Sequence, residues 1–405
     1  MTVKPELVRD VFDAGGRGLQ HHGLRRANER AVLTLIGFNS GVSNAEIARL
    51  SGLAPQTVSA ILIDLEQDGL ITRGPVLRGR RGQPATPIFL RSEGAYSIGV
   101  ELGWRHVDVV MIDLTANVLG TRRWHYDFPD ARTLPGEIAK AIGELRAGLS
   151  DAGQSRLRDI GVSMPADMAG YMHLSEAPEE QGALWANLDL AGDLERRCGL
   201  DVSLVNDGNA ACWAELIALS RPRSGDFIYF MIGRCIAAGI VGEGSLWEGS
   251  SGNSANMGAM LVRQGDGPLQ PAYRIASTAV LEKRLEDAGF LMISGQFETW
   301  DWDTFAPVVD QWIKDSGNAL ARVVYNTTMV IETALVVLDT ILPPALGERL
   351  VAEVESELKH LPVPASYRPP QVMLGHLGAM APSMGAGELT LYRRFFSRTL
   401  ADLVG

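Results

Sequence analysis

The chain is poor in cysteine, with three in 405 residues: Cys198, Cys212 and Cys235. None stands in Cys-x-x-Cys spacing, so a disulfide framework is excluded and a reduced, cytoplasmic setting is expected. Uninterrupted apolar runs are also missing. The most apolar helical stretch, residues 319–342, is broken by Arg322, Asn326, Glu332 and Asp339. That spacing predicts a buried core helix and no membrane contact. The first residues lack the basic-then-apolar pattern of a secretion signal, and no low-complexity segment or short repeat occurs. An excess of positive charge is absent too: the net charge is −11, which argues against a general polyanion binder.

What charge there is lies unevenly. Residues 1–92 carry twelve Lys/Arg against eight Asp/Glu, a surplus of four, which leaves the remainder at −15. A mildly basic head on an acidic body confines DNA contact to the head. A length of 405 residues with 46% hydrophobic and 21% charged residues fits two or three globular domains.

The head has the spacing of a winged helix-turn-helix. Leu24, Ala27, Ala31, Val32, Leu35 and Ile36 form one face of a first helix. Ser43 or Asn44 caps a short second helix carrying Ile47, Ala48 and Leu50, and a Ser51-Gly52-Leu53 turn follows. Pro55 opens a third helix whose inward stripe is Val58, Ile61, Leu62 and Leu65. Its other face begins with Gln56, Thr57 and Ser59, short polar groups placed to reach base edges and phosphates in a major groove. After Gly69, a strand at Leu70–Arg73 returns at Pro87–Leu90. Between the strands lie Arg78, Arg80, Arg81 and Gln83, suited to phosphates or a narrow minor groove.

Beyond the head, strand-rich starts at 98–113 and 227–243 each lead into alternating strand and helix patterns, the mark of a duplicated α/β fold. From the reader onward the chain resembles the ROK family, in which sugar kinases and sugar-responsive repressors share one body. It is most similar to the branch of xylose and N-acetylglucosamine repressors. The resemblance rests on Leu24-Arg25-Arg26-Ala27-Asn28, on Gly79-Arg80-Arg81-Gly82-Gln83-Pro84-Ala85, on Ser97–Gly103, on Val202–Ala210 with its Asn206-Asp207, and on a turn-like Gly385-Ala386-Gly387-Glu388-Leu389. It implies a winged helix-turn-helix over residues 1–92 and a two-lobed, actin-like, ribonuclease-H-like ligand-sensing and dimerisation body over 93–405.

Several departures from the family pattern bear on chemistry. The first phosphate turn, Asp-x-Gly-Gly-Thr in the family, reads Glu101-Leu102-Gly103-Trp104-Arg105, where an indole obstructs a phosphate though Glu101 could hold a cation. The second, Gly-Thr-Gly-x-Gly, reads Gly233-Arg234-Cys235-Ile236-Ala237. Gly-Glu-x-Gly-His, with a sugar-binding glutamate and a zinc-binding histidine, reads Ala255-Asn256-Met257-Gly258-Ala259, and residues 266–273 supply no cysteine. Neither ATP nor the family's zinc is therefore expected, and no catalytic residue is assigned. Asp207, matching the family's proton acceptor, is expected to bind ligand hydroxyls with Asn206 and Asn256. The resemblance puts Trp185 and Asn187 at the cleft rim, while Met164 and Pro165 are expected to pack.

The expectation is a transcriptional regulator, a repressor of carbohydrate metabolism. A homodimer or tetramer would bind a double-stranded operator under control of a sugar-like effector in a catalytically inactive cleft. The alternatives are a regulator whose body is only a dimerisation scaffold, and an active sugar kinase with a fused reader.

Overall fold

The structure, a computed structural model, describes residues 21–76, 86–265, 267–364 and 366–397. The head is built from α1 (His21–Phe38), α2 (Asn44–Ser51) and α3 (Pro55–Gln67), followed by the antiparallel strands β1 (Ile71–Arg73) and β2 (Ile88–Leu90). Ser43 caps α2 in a reciprocal box: its hydroxyl accepts from the Glu46 amide while the Glu46 carboxylate accepts from the Ser43 amide. Gly52 ends that helix at φ +68°, a conformation open to glycine without strain. The expected stripe is buried at Val32, Leu35, Ile36, Ile47, Ala48, Val58, Ile61, Leu62 and Leu65, and Ile88 of β2 closes the small core. Leu24 and Ala27 in the first turns of α1 stand exposed instead, and Ala31 and Leu50 are half-buried. Arg78, Arg80, Arg81 and Gln83 lie outside the described residues.

A single turn at Ser92–Gly94 leads into the first lobe. Its strands are β3 (Tyr96–Leu102), β4 (His106–Asp113), β5 (Val118–His125), β6 (Leu157–Met164) and β7 (Asp201–Asn206), in the order β5-β4-β3-β6-β7. β3, β6 and β7 run parallel, whereas β4 and β5 fold back antiparallel. Packed around this sheet are α4 (Leu134–Ala147), α5 (Asp151–Gln154), α6 (Glu180–Asn187) and α7 (Leu190–Cys198). From the end of β7 the chain enters α8 (Asp207–Ala218) directly.

The second lobe repeats the plan. β8 (Phe227–Ile232), β9 (Ile236–Gly242) and β10 (Ser245–Leu246) form the antiparallel side, and a small β11 (Leu261–Arg263) and β12 (Leu269–Pro271) hairpin stands apart. After α9 (Tyr273–Ala276), α10 (Thr278–Asp287) and α11 (Trp302–Thr328) come β13 (Leu335–Thr340), α12 (Pro344–His360), β14 (Gln371–Leu374) and α13 (Ala381–Phe395). The sheet order β10-β9-β8-β13-β14 matches the first sheet position for position. The duplication expected from the two strand-rich starts is thus present.

Two readings of the sequence need correction. Residues 319–342 are not one helix: α11 ends at Thr328, and Leu335–Thr340 is the interior strand β13, buried between β8 and β14. A strand buried on both faces is as apolar as a core helix, so hydropathy does not separate them. Likewise 385–389 is no turn but the middle of α13. Among the described residues, no helix is long and apolar enough to cross a membrane.

α13 is wedged between the first sheet and α8. A Cβ on Gly99 would collide with the Ser383 carbonyl, one on Gly161 with Ala386, and one on Gly385 with Ala210 of α8. The contact is backbone on backbone. Ser97 adds a hydrogen bond to the Gly387 carbonyl at 2.8 Å, and Arg394 reaches both Asp159 (2.5 and 2.6 Å) and Asp201 (2.7 Å). The head docks on the far end of the same helix. Arg30 donates to the carbonyls of Arg393 and Arg394 at 3.2 and 3.0 Å, and the Ser397 amide donates to Thr34 Oγ1 at 2.8 Å. A cation on the last-turn carbonyls satisfies acceptors that a helix leaves open and complements its dipole. Gly385→Ala is expected to lower stability by about 3 kcal/mol, the upper range for an overpacked core, read as a lower midpoint in urea unfolding.

Candidate ligand cleft and DNA-reading face

Between the lobes lies a cavity of about 410 Å³. Its wall takes Glu101 to His106 from the β3–β4 hairpin, without Leu102, and Arg123 and His125 from β5. The end of β7 gives Asn206 and Asp207, the β8–β9 hairpin Gly233 to Ala237, and the loop after β10 Asn256. Three of the expected ligand residues, Asn206, Asp207 and Asn256, are therefore together. Pro165 joins them, while Met164 packs against the first-lobe core.

Asn206 is largely committed to structure. Its carbonyl caps α8 by accepting from the Asn209 amide at 3.1 Å, and its amide donates to Asp207 Oδ1 at 3.1 Å. The Gly208 amide donates to the same oxygen at 2.8 Å. Burial pushes the Asp207 carboxyl up to about 6, against the opposing pull of these bonds, with Glu101 nearby adding to the rise. A carboxyl that titrates near neutrality at a strand end can take a proton or accept ligand hydroxyls.

The β3–β4 hairpin is closed by His106. A Cβ on Gly103 would lie 2.6 Å from the imidazole, so the ring fills the space that the glycine leaves open. Trp104, expected to be the obstruction, is buried in the first-lobe core and meets the cavity only as part of its wall. His106 Nε2 stands 3.4 Å from Glu101 Oε1 and 3.8 Å from Asp108 Oδ2. Burial works against its charged form, but Glu101 and Asp108 outweigh that and raise its pKa. These three are the only His/Cys/Asp/Glu group among the described residues with metal-ligand spacing. Asp108, however, is held by the Arg123 guanidinium through both oxygens.

In the β8–β9 hairpin the Gly233 amide donates to the Cys235 carbonyl at 3.0 Å. Arg234 turns to Glu282 at 2.7 Å, and burial pushes the Cys235 thiol up to about 12, leaving it neutral. Around Asn256 the donor set for the family's zinc does not fit: Ala259 stands at the histidine position, and 266–273 holds neither cysteine nor histidine.

Trp185 and Asn187 do not reach the cavity. The Trp185 indole is buried and donates to the Pro129 carbonyl at 2.8 Å, and the Asn187 amide donates back to Ala183 at 2.7 Å. A buried indole needs a partner for its N–H, and a backbone carbonyl of the lobe supplies it. Conversely, Arg105, His106, Arg123 and His125 escaped the sequence reading. The signal was available: His106 and Asp108 alternate along β4 and lie opposite His125 and Arg123 of β5. Asn209 was missed as well; it is fully buried and ties α8 to the Gly252 carbonyl at 3.0 Å, fastening the loop that carries Asn256.

On the head, Gln56 and Thr57 stand exposed on α3. Ser59 does not: its hydroxyl donates to the Pro55 carbonyl at 2.9 Å and accepts from Asn44 at 2.8 Å, joining the reading helix to α2. Its place in the sequence gives no sign of this, because the partner comes from the preceding helix.

The ROK family sequence pattern matches residues 97–392, and that of the DprA winged helix domain matches 25–75. The chain belongs to the ROK family. It is 28% identical over 383 residues to protein y4fQ of Sinorhizobium fredii, spanning 93% of each chain. It is 24% identical over 242 residues to the xylose repressor of Bacillus spizizenii, spanning 59% of this chain and 61% of that one. A solved ROK family transcriptional regulator, a homologue of the Escherichia coli MLC protein, aligns over 94% of this chain and all of its own. Its TM-score is 0.69 at 18% identity, a likeness of fold. The actin-like, two-lobed body that the resemblance implied is therefore present.

With Asp207 titrating near 6 folded and near 3.8 unfolded, the folded state holds the extra proton between those values, so stability falls as pH rises through that window. Asp207→Asn, which cannot ionise, should gain melting temperature over the parent above about pH 6 and little near pH 4. An equal shift at both ends would show that carboxylate burial is not the cause.

Proposed function

We propose that this chain is a sugar-responsive transcriptional repressor of carbohydrate metabolism that acts as a homodimer in the cytoplasm. The winged helix reads an operator, and the cleft binds a small polyhydroxylated effector without phosphorylating it. The observation that carries this reading is the path of α13: Pro382 in its first turn walls the cavity, and its last-turn carbonyls hold Arg30 of the head. Effector site and reader share one rigid element. The repressor name of the Bacillus relative supports the same reading, although the match spans only about three-fifths of that protein.

Effector hydroxyls would donate to the Asp207 carboxylate and exchange bonds with Asn256 across the cleft. Neither ATP nor zinc belongs to the proposal. His106 occupies the space over Gly103, the Gly233 amide is spent within its own hairpin, and the zinc donors are missing from 255–273. One observation favours a second reading, the kinase: Asp207 keeps the position and the raised pKa that suit a general base.

Fluorescence anisotropy on fragments upstream of the coding region, with and without a panel of sugars, tests the first reading. Expected are a duplex bound at nanomolar level, its release by one sugar class, and a higher melting temperature with that sugar. A duplex bound but indifferent to every sugar would leave the body as a dimerisation scaffold. Phosphorylated sugar formed with MgATP, and lost in Asp207→Asn, would establish the kinase.

The wing arginines give a separate check. Replacing Arg80 and Arg81 by Ala should lower the slope of log affinity against log salt by about one unit per lost phosphate contact. An unchanged slope would remove the wing from the interface.

A further inference from the structure

The outward line of α3 is chemically unusual for a DNA-facing helix. Gln56, Ala60, Ile63 and Gln67 follow one another at spacings of four, three and four residues, which places them on one narrow stripe, and all four are exposed. Ile63 is half exposed although the inward stripe of Val58, Ile61, Leu62 and Leu65 fully closes the core without it. Packing of the head does not require an isoleucine there.

The stripe carries no charge. The acids beside it are engaged: Asp64 is paired with Arg25 of α1, and Glu66 accepts from Arg73 at 2.8 Å. The helix also contains no lysine or arginine.

Each base pair presents a different edge in the major groove. Guanine takes arginine or lysine in a two-pronged bond, and the stripe has neither. Cytosine takes a free carboxylate, and the adjacent carboxylates are held by arginines. Adenine takes a glutamine amide, and thymine offers a methyl group to an apolar side chain. Amides at both ends and two apolar groups between them match only the last two.

We propose that α3 selects A·T pairs at the half-site positions it faces, with Gln56 bonded to adenine and with Ala60 and Ile63 packed on thymine methyl groups. The proposal rests on the DNA-reading function above and adds what the reader recognises.

Selection of the full-length protein on a random duplex pool, followed by anisotropy on the enriched site, tests it. The enriched half-site should hold consecutive A·T pairs at the positions α3 faces. Replacing one of those thymines by deoxyuridine, which lacks only the methyl, should weaken binding about fourfold, the worth of one buried methyl-sized group. In Ile63→Ala, whose melting temperature should equal the parent's because the side chain lies outside the core, the same replacement should have no further effect. Conserved G·C pairs at those positions would overturn the proposal, as would equal deoxyuridine sensitivity in parent and variant. A pool with no enrichment would remove the DNA-reading function itself, and this inference with it.

Discussion

The approach of α13 to the strands and helix beside it is the constraint on which the rest of the body depends. Side chains normally hold a helix about 10 Å from a sheet or another helix. Here Gly99 and Gly161 on the sheet and Gly385 on the helix remove them from the contact, and α8 repeats the device against β9, where a Cβ on Gly208 would meet the Ala238 carbonyl. Sheet, α13, α8 and second sheet therefore stack with little side-chain padding between them. Asp207 and Gly208 open α8, so that same closeness pins the carboxylate at the mouth between the lobes. Interiors packed to this density relax little, and the position of the carboxylate follows from the backbone.

The electrostatics of the cleft follow from what is buried there. Glu101 lies near Asp207, and the repulsion between the two carboxylates disfavours ionisation of Asp207. His106 between Glu101 and Asp108 and the Arg123 clamp on Asp108 offset part of that repulsion. The result is a wall in which acid and base are matched locally. Such a wall suits a neutral, hydroxyl-rich ligand, whose many weak donors and acceptors use paired charges without needing to neutralise any.

Local features were legible in the sequence. A cap at Ser43 or Asn44, the glycine at φ +68°, and the inward stripe of α3 each act within a few residues, so spacing reveals them, and the structure resolves the cap to Ser43. The duplicated strand pattern was legible for the same reason. What escaped depends on neighbours distant in sequence. The family resemblance put Trp185 at the rim, but the Pro129 carbonyl holds its indole inside. The strand 335–340 was merged with a helix because burial on both faces erases alternation. The glycines of α13 suggested a turn, whereas a flat helix face needs them as much as a turn does.

Coupling between cleft and reader has a geometric condition. A helix of fifteen residues spans about 22 Å, so α13 carries the head well away from the cavity it walls. Because α13 lies backbone to backbone on the first sheet, it moves with the first lobe, and the head that rests on its end moves with it. The segment after α8 reinforces this attachment, with the Arg223 guanidinium 5.4 Å from the centre of the Phe38 ring. Under the proposed function, an effector spanning Asp207 and Asn256 would act instead on the angle between the lobes. That angle changes the separation of two readers only when the dimer is joined through the second lobes. A contact between first lobes or heads would hold the readers fixed whatever the cleft did. An effector would then have no differential affinity for the two arrangements with which to shift them.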